Sequence, residues 1–171
     1  ETIASTISGA LTTTTSTTIQ GSATATATLT LQGAGTNALT SLVLDKVTGD
    51  AIFIVNSTNG AMTITGTVAG ETGGDGAMTI YDDDAGAAGD LVTFTGAVGG
   101  TTVGSITVGA ADKVGNVQFQ STVATAGALT ILGGDNAAED SVAEFQNSLT
   151  AATIVLNDAN GTATLAINAT N

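Results

Sequence analysis

Leu91-Val-Thr-Phe-Thr-Gly-Ala-Val98, Asn116-Val-Gln-Phe-Gln-Ser-Thr-Val123 and Ser141-Val-Ala-Glu-Phe-Gln-Asn-Ser-Leu149 are three versions of one block. Their aromatics, Phe94, Phe119 and Phe145, lie 25 and 26 residues apart. A second apolar run follows each block: Ser105-Ile-Thr-Val108, Ala128-Leu-Thr-Ile-Leu132 and Thr153-Ile-Val-Leu156. A fixed period in the twenties marks stacked β-repeats, in which one unit cannot bury its apolar face alone but neighbours can. The expected fold is therefore all-β, a repetitive, β-helix-like β-solenoid stack of ~25-residue units. Such a chain is better suited to building something than to catalysing a reaction.

Working outward, the rest of the chain reads as short strands between turn signals, with no helical period. Asn59-Gly60 leads into Ala61-Met-Thr-Ile-Thr65, Asp75-Gly76 into Ala77-Met-Thr-Ile-Tyr81, and Asn160-Gly161 into Thr162-Ala-Thr-Leu-Ala-Ile167. Asn-Gly and Asp-Gly between apolar runs are strong hairpin cues, because both residues tolerate positive φ. They keep an antiparallel β-sandwich with hairpins open as the alternative. Residues 1–32 are Thr/Ser-rich and are separated from a single β-rich domain at 33–171. Strict alternation in Ala23-Thr-Ala-Thr-Ala-Thr-Leu-Thr-Leu31 is strand-like. The opening stretch is apolar only at Ile3, Ile7, Leu11 and Ile19, and reads as a tail, a cap, or a strand donated to another subunit.

Composition narrows the function by what it lacks. There is no His, Cys, Pro or Trp, and the basic side chains are Lys46 and Lys113 against a net charge of −13. Without His or Cys, the usual general base, thiol nucleophile and transition-metal ligands are missing. A polyanion would be repelled, so no nucleic-acid partner is expected. No apolar run approaches the ~20 residues of a membrane span, so no membrane insertion is expected either. A start at Glu1 with no leader-like segment implies that any signal peptide has been removed. Two carboxylates at suitable separation hydrolyse glycosides, but sugar sites are normally lined with aromatics. With one Tyr and four Phe, the chain is not expected to be an enzyme.

Phe94-Thr-Gly-Ala-Val-Gly-Gly-Thr-Thr-Val-Gly-Ser-Ile-Thr-Val108, followed by Gly115-Asn-Val-Gln-Phe-Gln-Ser-Thr-Val123, resembles the β-strand repeats of bacterial surface proteins. Haemagglutinin-like adhesins, autotransporter passengers and some S-layer proteins carry such repeats. The resemblance implies an extracellular or cell-surface location and a scaffolding or adhesive role. The expected function is a secreted structural subunit that self-assembles into a filament or surface lattice. A repeat or stalk segment of a larger cell-surface adhesin is the alternative. The expected partner is a homopolymer, joined through strand edges and the N-terminal segment.

Three groups of residues are candidate sites. Asp82, Asp83, Asp84 and Asp90, or Asp135, Glu139, Asp140 and Glu144, offer the oxygen-rich loops that Ca²⁺ binds. Calcium is accordingly the one cofactor candidate, and neither cluster matches an EF-hand. Asn56, Asn160 and Asn168 head Asn-x-Ser/Thr sequons and are candidate glycosylation sites. Thr pairs such as Thr28/Thr30, Thr63/Thr65 and Thr93/Thr95 do not recur at one sequence spacing, and read as β-propensity on a solvent face.

Overall fold

The computed structural model describes residues 2–46, 50–83, 89–157 and 160–168. In chain order the strands are β1 (Thr2–Ser8), β2 (Ser16–Gly21), β3 (Thr26–Gln32), β4 (Gly35–Lys46), β5 (Ala51–Asn56), β6 (Met62–Gly70) and β7 (Asp75–Tyr81). They continue as β8 (Leu91–Phe94), β9 (Val98–Val108), β10 (Asn116–Phe119), β11 (Val123–Leu132), β12 (Ser141–Phe145), β13 (Leu149–Asn157) and β14 (Ala163–Ile167). Pairings between these strands are parallel throughout. The chain is a β-solenoid of about six turns.

Each full turn crosses three walls. The first wall stacks β1, β3, β5, β7 and the second halves of β9, β11 and β13. The second stacks the start of β4 and of β6 with β8, β10, β12 and β14. The third stacks β2 with the later parts of β4 and β6 and the first residues of β9, β11 and β13. Five long strands, β4, β6, β9, β11 and β13, therefore bend across a corner without breaking, and coils are linked by corners rather than by hairpins.

This overturns the antiparallel sandwich, and the reason is local. Asn59 (φ 68°) and Gly60 (φ 135°) do adopt the positive φ that the Asn-Gly cue anticipates. The same backbone serves equally well to turn a chain from one wall to the next. Asp75-Gly76 does not even lie between strands; it opens β7.

The core is a set of straight side-chain columns. Alternation along each strand sends every second side chain inward, and parallel stacking places equivalent residues over one another. On the second wall Ile64, Phe94, Phe119, Phe145 and Ile167 are successive register partners. The three Phe rings stack with centroids 5.2 and 5.0 Å apart and interplanar angles of 20° and 18°. That separation matches the ~4.8 Å spacing of neighbouring strands, so the backbone rise sets the ring stacking. On the first wall Ile7, Leu31, Val55, Ile80, Val108, Ile131 and Leu156 form one column. Ser5, Leu29, Phe53, Met78, Ile106, Leu129 and Ile154 form the next.

Polar groups that fall inside are satisfied. The Asn37 Oδ1 accepts the Leu11 N–H at 2.8 Å, and the Ser141 Oγ accepts the Gly115 N–H at 3.0 Å. Residues 2–32 belong to this stack: β1 lies on β3 and β2 on β4, with Ile19 in the core and Ile7 and Leu11 packed against it.

Candidate functional site

Asp82, Asp83 and Asp90, and likewise Asp135, Glu139 and Asp140, lie where the chain turns from the first wall to the second. Asp82 is buried, and its Oδ2 accepts the Asp90 N–H at 2.8 Å. Asp83 forms an ion pair with Lys113, whose Nζ also sits 4.7 Å above the centre of the Tyr81 ring. That carboxylate holds the lysine above its ordinary pKa. The Asp90 carbonyl accepts the Ser57 hydroxyl at 3.0 Å, and Asp84 lies outside the described residues.

In the second group, Glu139 closes its own turn by accepting the Asn136 side-chain amide at 2.8 Å. Asp140 accepts the Thr162 N–H at 2.8 Å, and this keeps its pKa low. Glu144 is not at the corner at all. It projects from β12 on the second wall, where Gln118 donates to it at 3.0 Å and Asn168 at 2.8 Å, depressing its pKa. Among the described residues, no three His, Cys, Asp or Glu side chains converge on a point that would hold a metal ion.

Two carboxyl contacts between coils were not apparent in sequence. Asp135 lies against Asp112 of the coil before, and hydrogen bonding to that partner raises its pKa. Glu71 lies against Asp45 in the same way and is raised for the same reason. The signal was present: 45 to 71 and 112 to 135 are each one coil length, so a search for acids at the repeat period finds both.

These shifts carry opposite signs in stability. Folded Glu71 and Asp135 bind their protons more tightly than the unfolded chain does. They therefore destabilise the fold above their raised pKa, and the penalty fades as pH falls through it. Asp75, Asp140 and Glu144 are lowered. Their stabilisation is present above the ordinary values of 3.8 and 4.5 and is lost as pH falls through the depressed ones. Glu71→Gln should thus raise the melting temperature at neutral pH and lose that advantage as pH approaches 4.5, the ordinary Glu value. Thermal melts of the two proteins across that range check it; a constant difference would show that the carboxyl pair is not the cause.

The sequons are placed unequally. Asn56 is buried, and its Oδ1 accepts the Thr58 hydroxyl at 2.7 Å and the Asp83 N–H at 3.2 Å. Asn160 is exposed and donates to the Asp135 carbonyl at 2.8 Å; Asn168 is exposed and donates to Glu144. A surface cleft of about 390 Å³ is bordered by Lys46, Asp50, Ile52, Gly76 and Ser105. Its two charged groups pair with each other at 3.1 Å.

The threonines recur after all. Thr6, Thr30, Ile54, Thr79, Thr107, Thr130 and Val155 are successive register partners on the outer side of the first wall. Every member is β-branched. Unequal coil lengths hide this rank in sequence, since Thr79 and Thr107 are 28 residues apart but Thr107 and Thr130 only 23. The wall carries no charge along this rank, while the acids gather at its corners.

The other unsatisfied feature is at the ends of the stack. At one end Ile154, Leu156 and Ile167 are 45%, 51% and 58% exposed; at the other Ile3 is 61% exposed. These four are inward-facing positions that, among the described residues, have a register partner on one side only. Comparison of the chain with protein-family models, curated proteins and solved structures returns no match to any of the three.

Proposed function

We propose that the chain is a secreted structural subunit that self-assembles end to end into an extracellular filament, or into a surface lattice built from such filaments. The observation that carries this reading is the apolar edge that the first and last described coils each present. Among the described residues, β13 and β14 at one end and β1 at the other are paired along one edge only, and they carry exposed Ile and Leu side chains. Such edges are what natural β-stacks cap, charge or pair. Within β1, β13 and β14 themselves no residue is charged and none is Pro. The acids stand at the corners instead, where they keep the sides of the particles apart. An extracellular location belongs to this reading through the surface-protein resemblance. Among the described residues no helix is long and apolar enough to cross a membrane.

Sedimentation velocity and negative-stain imaging over a concentration series test the proposal. The expected result is rods that lengthen with concentration, and a variant carrying Ile154→Asp, Leu156→Asp and Ile167→Asp that stays short while keeping its far-ultraviolet spectrum. Those three side chains end the core columns and are about half exposed, so the unchanged spectrum is the check that the substitutions leave the fold intact. Monodisperse short rods at every concentration would reject self-assembly and return the alternative, a stalk segment of a larger adhesin.

A further inference from the structure

We propose that the two ends meet in one defined register, with Leu156 of one copy over Ile7 of the next and Ile167 over Leu11. This rests on the self-assembly reading and says which residues form the joint. On the first wall, the column from Ile7 to Leu156 has seven members, one per coil. On the second wall, the Thr12–Ala38 bridge puts Leu11 beside Asn37. That column then runs Leu11, Asn37, Ile64, Phe94, Phe119, Phe145 and Ile167, again seven members.

Because both columns advance by the same number of coils, one screw displacement along the stack continues both at once. It brings the half-buried Ile7 and Leu11 onto the exposed Leu156 and Ile167. In the same placement the small Ser5 faces the exposed Ile154, and Thr6 follows Val155 in the outer β-branched rank. A slip of two residues along β13 would instead put Leu156 against Ser5 and break the match on the second wall. Strand polarity also selects this mode: a parallel edge continues in parallel only when opposite ends of the stack meet. On the third wall the described residues end one coil sooner, at Leu149–Ala151, so the joint closes along two walls. The contact is heterologous and does not close on itself, which is the geometry of a filament.

The chain has no cysteine, which makes the register directly testable. Thr6 and Val155 point outward from the two end strands, about six strand spacings apart within one copy, or roughly 29 Å. Across the proposed joint they become strand neighbours at about 5 Å, inside the Cα separation that a disulfide spans. The chain carrying both Thr6→Cys and Val155→Cys should form a ladder of covalent multimers on mild oxidation, seen on a non-reducing gel. A control with Thr6→Cys and Thr153→Cys, one pleat out of register, should cross-link about tenfold less, because its sulfurs lie beyond disulfide reach. Thr6→Cys alone should give no dimer, since identical ends do not meet. Equal ladders from both pairs, or dimers from Thr6→Cys alone, would overturn the register. Filaments of the wild-type chain with no cross-linking by the in-register pair would overturn the joint and leave self-assembly standing. Absence of any filament would remove both.

Discussion

Phe119→Ala is expected to cost about 3–5 kcal/mol of folding stability, the range seen when a buried Phe is cut back to Ala. Phe119 is the middle ring of the stack, buried and flanked on both sides by rings at 5.2 and 5.0 Å. Its removal loses apolar burial and both ring contacts together, and each stacked pair adds about 0.5–1.5 kcal/mol beyond area. The cavity does not collapse easily, because Phe94 and Phe145 are held in place by the register of β8 and β12 on either side. Against a total stability of about 5–15 kcal/mol for a domain, that is a large fraction. Ile167→Ala occupies the same column at the exposed end, and should cost less than about 1 kcal/mol because so little is buried there. Denaturant titrations of the two variants check the contrast. Equal losses would mean that the column does not act as a continuous core.

The same comparison shows what a sequence of this kind reveals. Phe94, Phe119 and Phe145 were legible as a stack because the coils containing them are nearly equal in length, and a large aromatic is conspicuous among Ala, Thr and Val. The three-walled section was not legible. In the later coils its third wall is built from very short pieces, such as Val98 alone, Val123–Thr125 and Leu149–Ala151. Segments so short have no measurable alternation and merge into the strand that follows the corner. Asn59-Gly60 was ambiguous for a physical reason: positive φ reverses a chain or turns it through a corner, and the neighbours decide which.

The acidic residues divide along the same line. Asp82 and Asp90 are close in sequence and in space, joined by a hydrogen bond. Glu144 and Asp140 are also close in sequence, yet one belongs to the second wall and the other to a corner. In a solenoid, residues one coil apart are nearer neighbours than residues four apart, which is why Asp45 met Glu71 and Asp112 met Asp135. The result is a charge pattern with a mechanical consequence. Acids ride on the corners, the broad walls stay largely uncharged, and the apolar surplus is left at the two ends. In the proposed filament, repulsion between acidic corners opposes packing side by side more than it opposes contact between the uncharged end strands.

Gly66→Ala should be more damaging than its size implies, at about 3 kcal/mol or more. Gly66 sits where β6 turns from the second wall to the third, with φ at +86°. An L side chain in the left-handed region costs about 1–2 kcal/mol by itself. In addition, a Cβ there would overlap the Leu39 carbonyl of the coil below. Gly96, in the corner of the next coil, repeats the arrangement against the Gly66 carbonyl. The obstacle is backbone in both cases, so no rotamer change relieves it; the coils would have to separate locally and give up hydrogen bonds between strands. Gly100→Ala is the control, because a Cβ at that position meets nothing within 4 Å and its φ is not in the left-handed region. It should fall within about 0.5 kcal/mol of the parent, as exposed substitutions usually do. Chemical unfolding of Gly66→Ala, Gly96→Ala and Gly100→Ala decides the point. A Gly66→Ala protein as stable as Gly100→Ala would mean that the coils are not packed backbone to backbone at this corner. The three-walled stack would then lose the tight bend that lets β4 and β6 cross from one wall to the next.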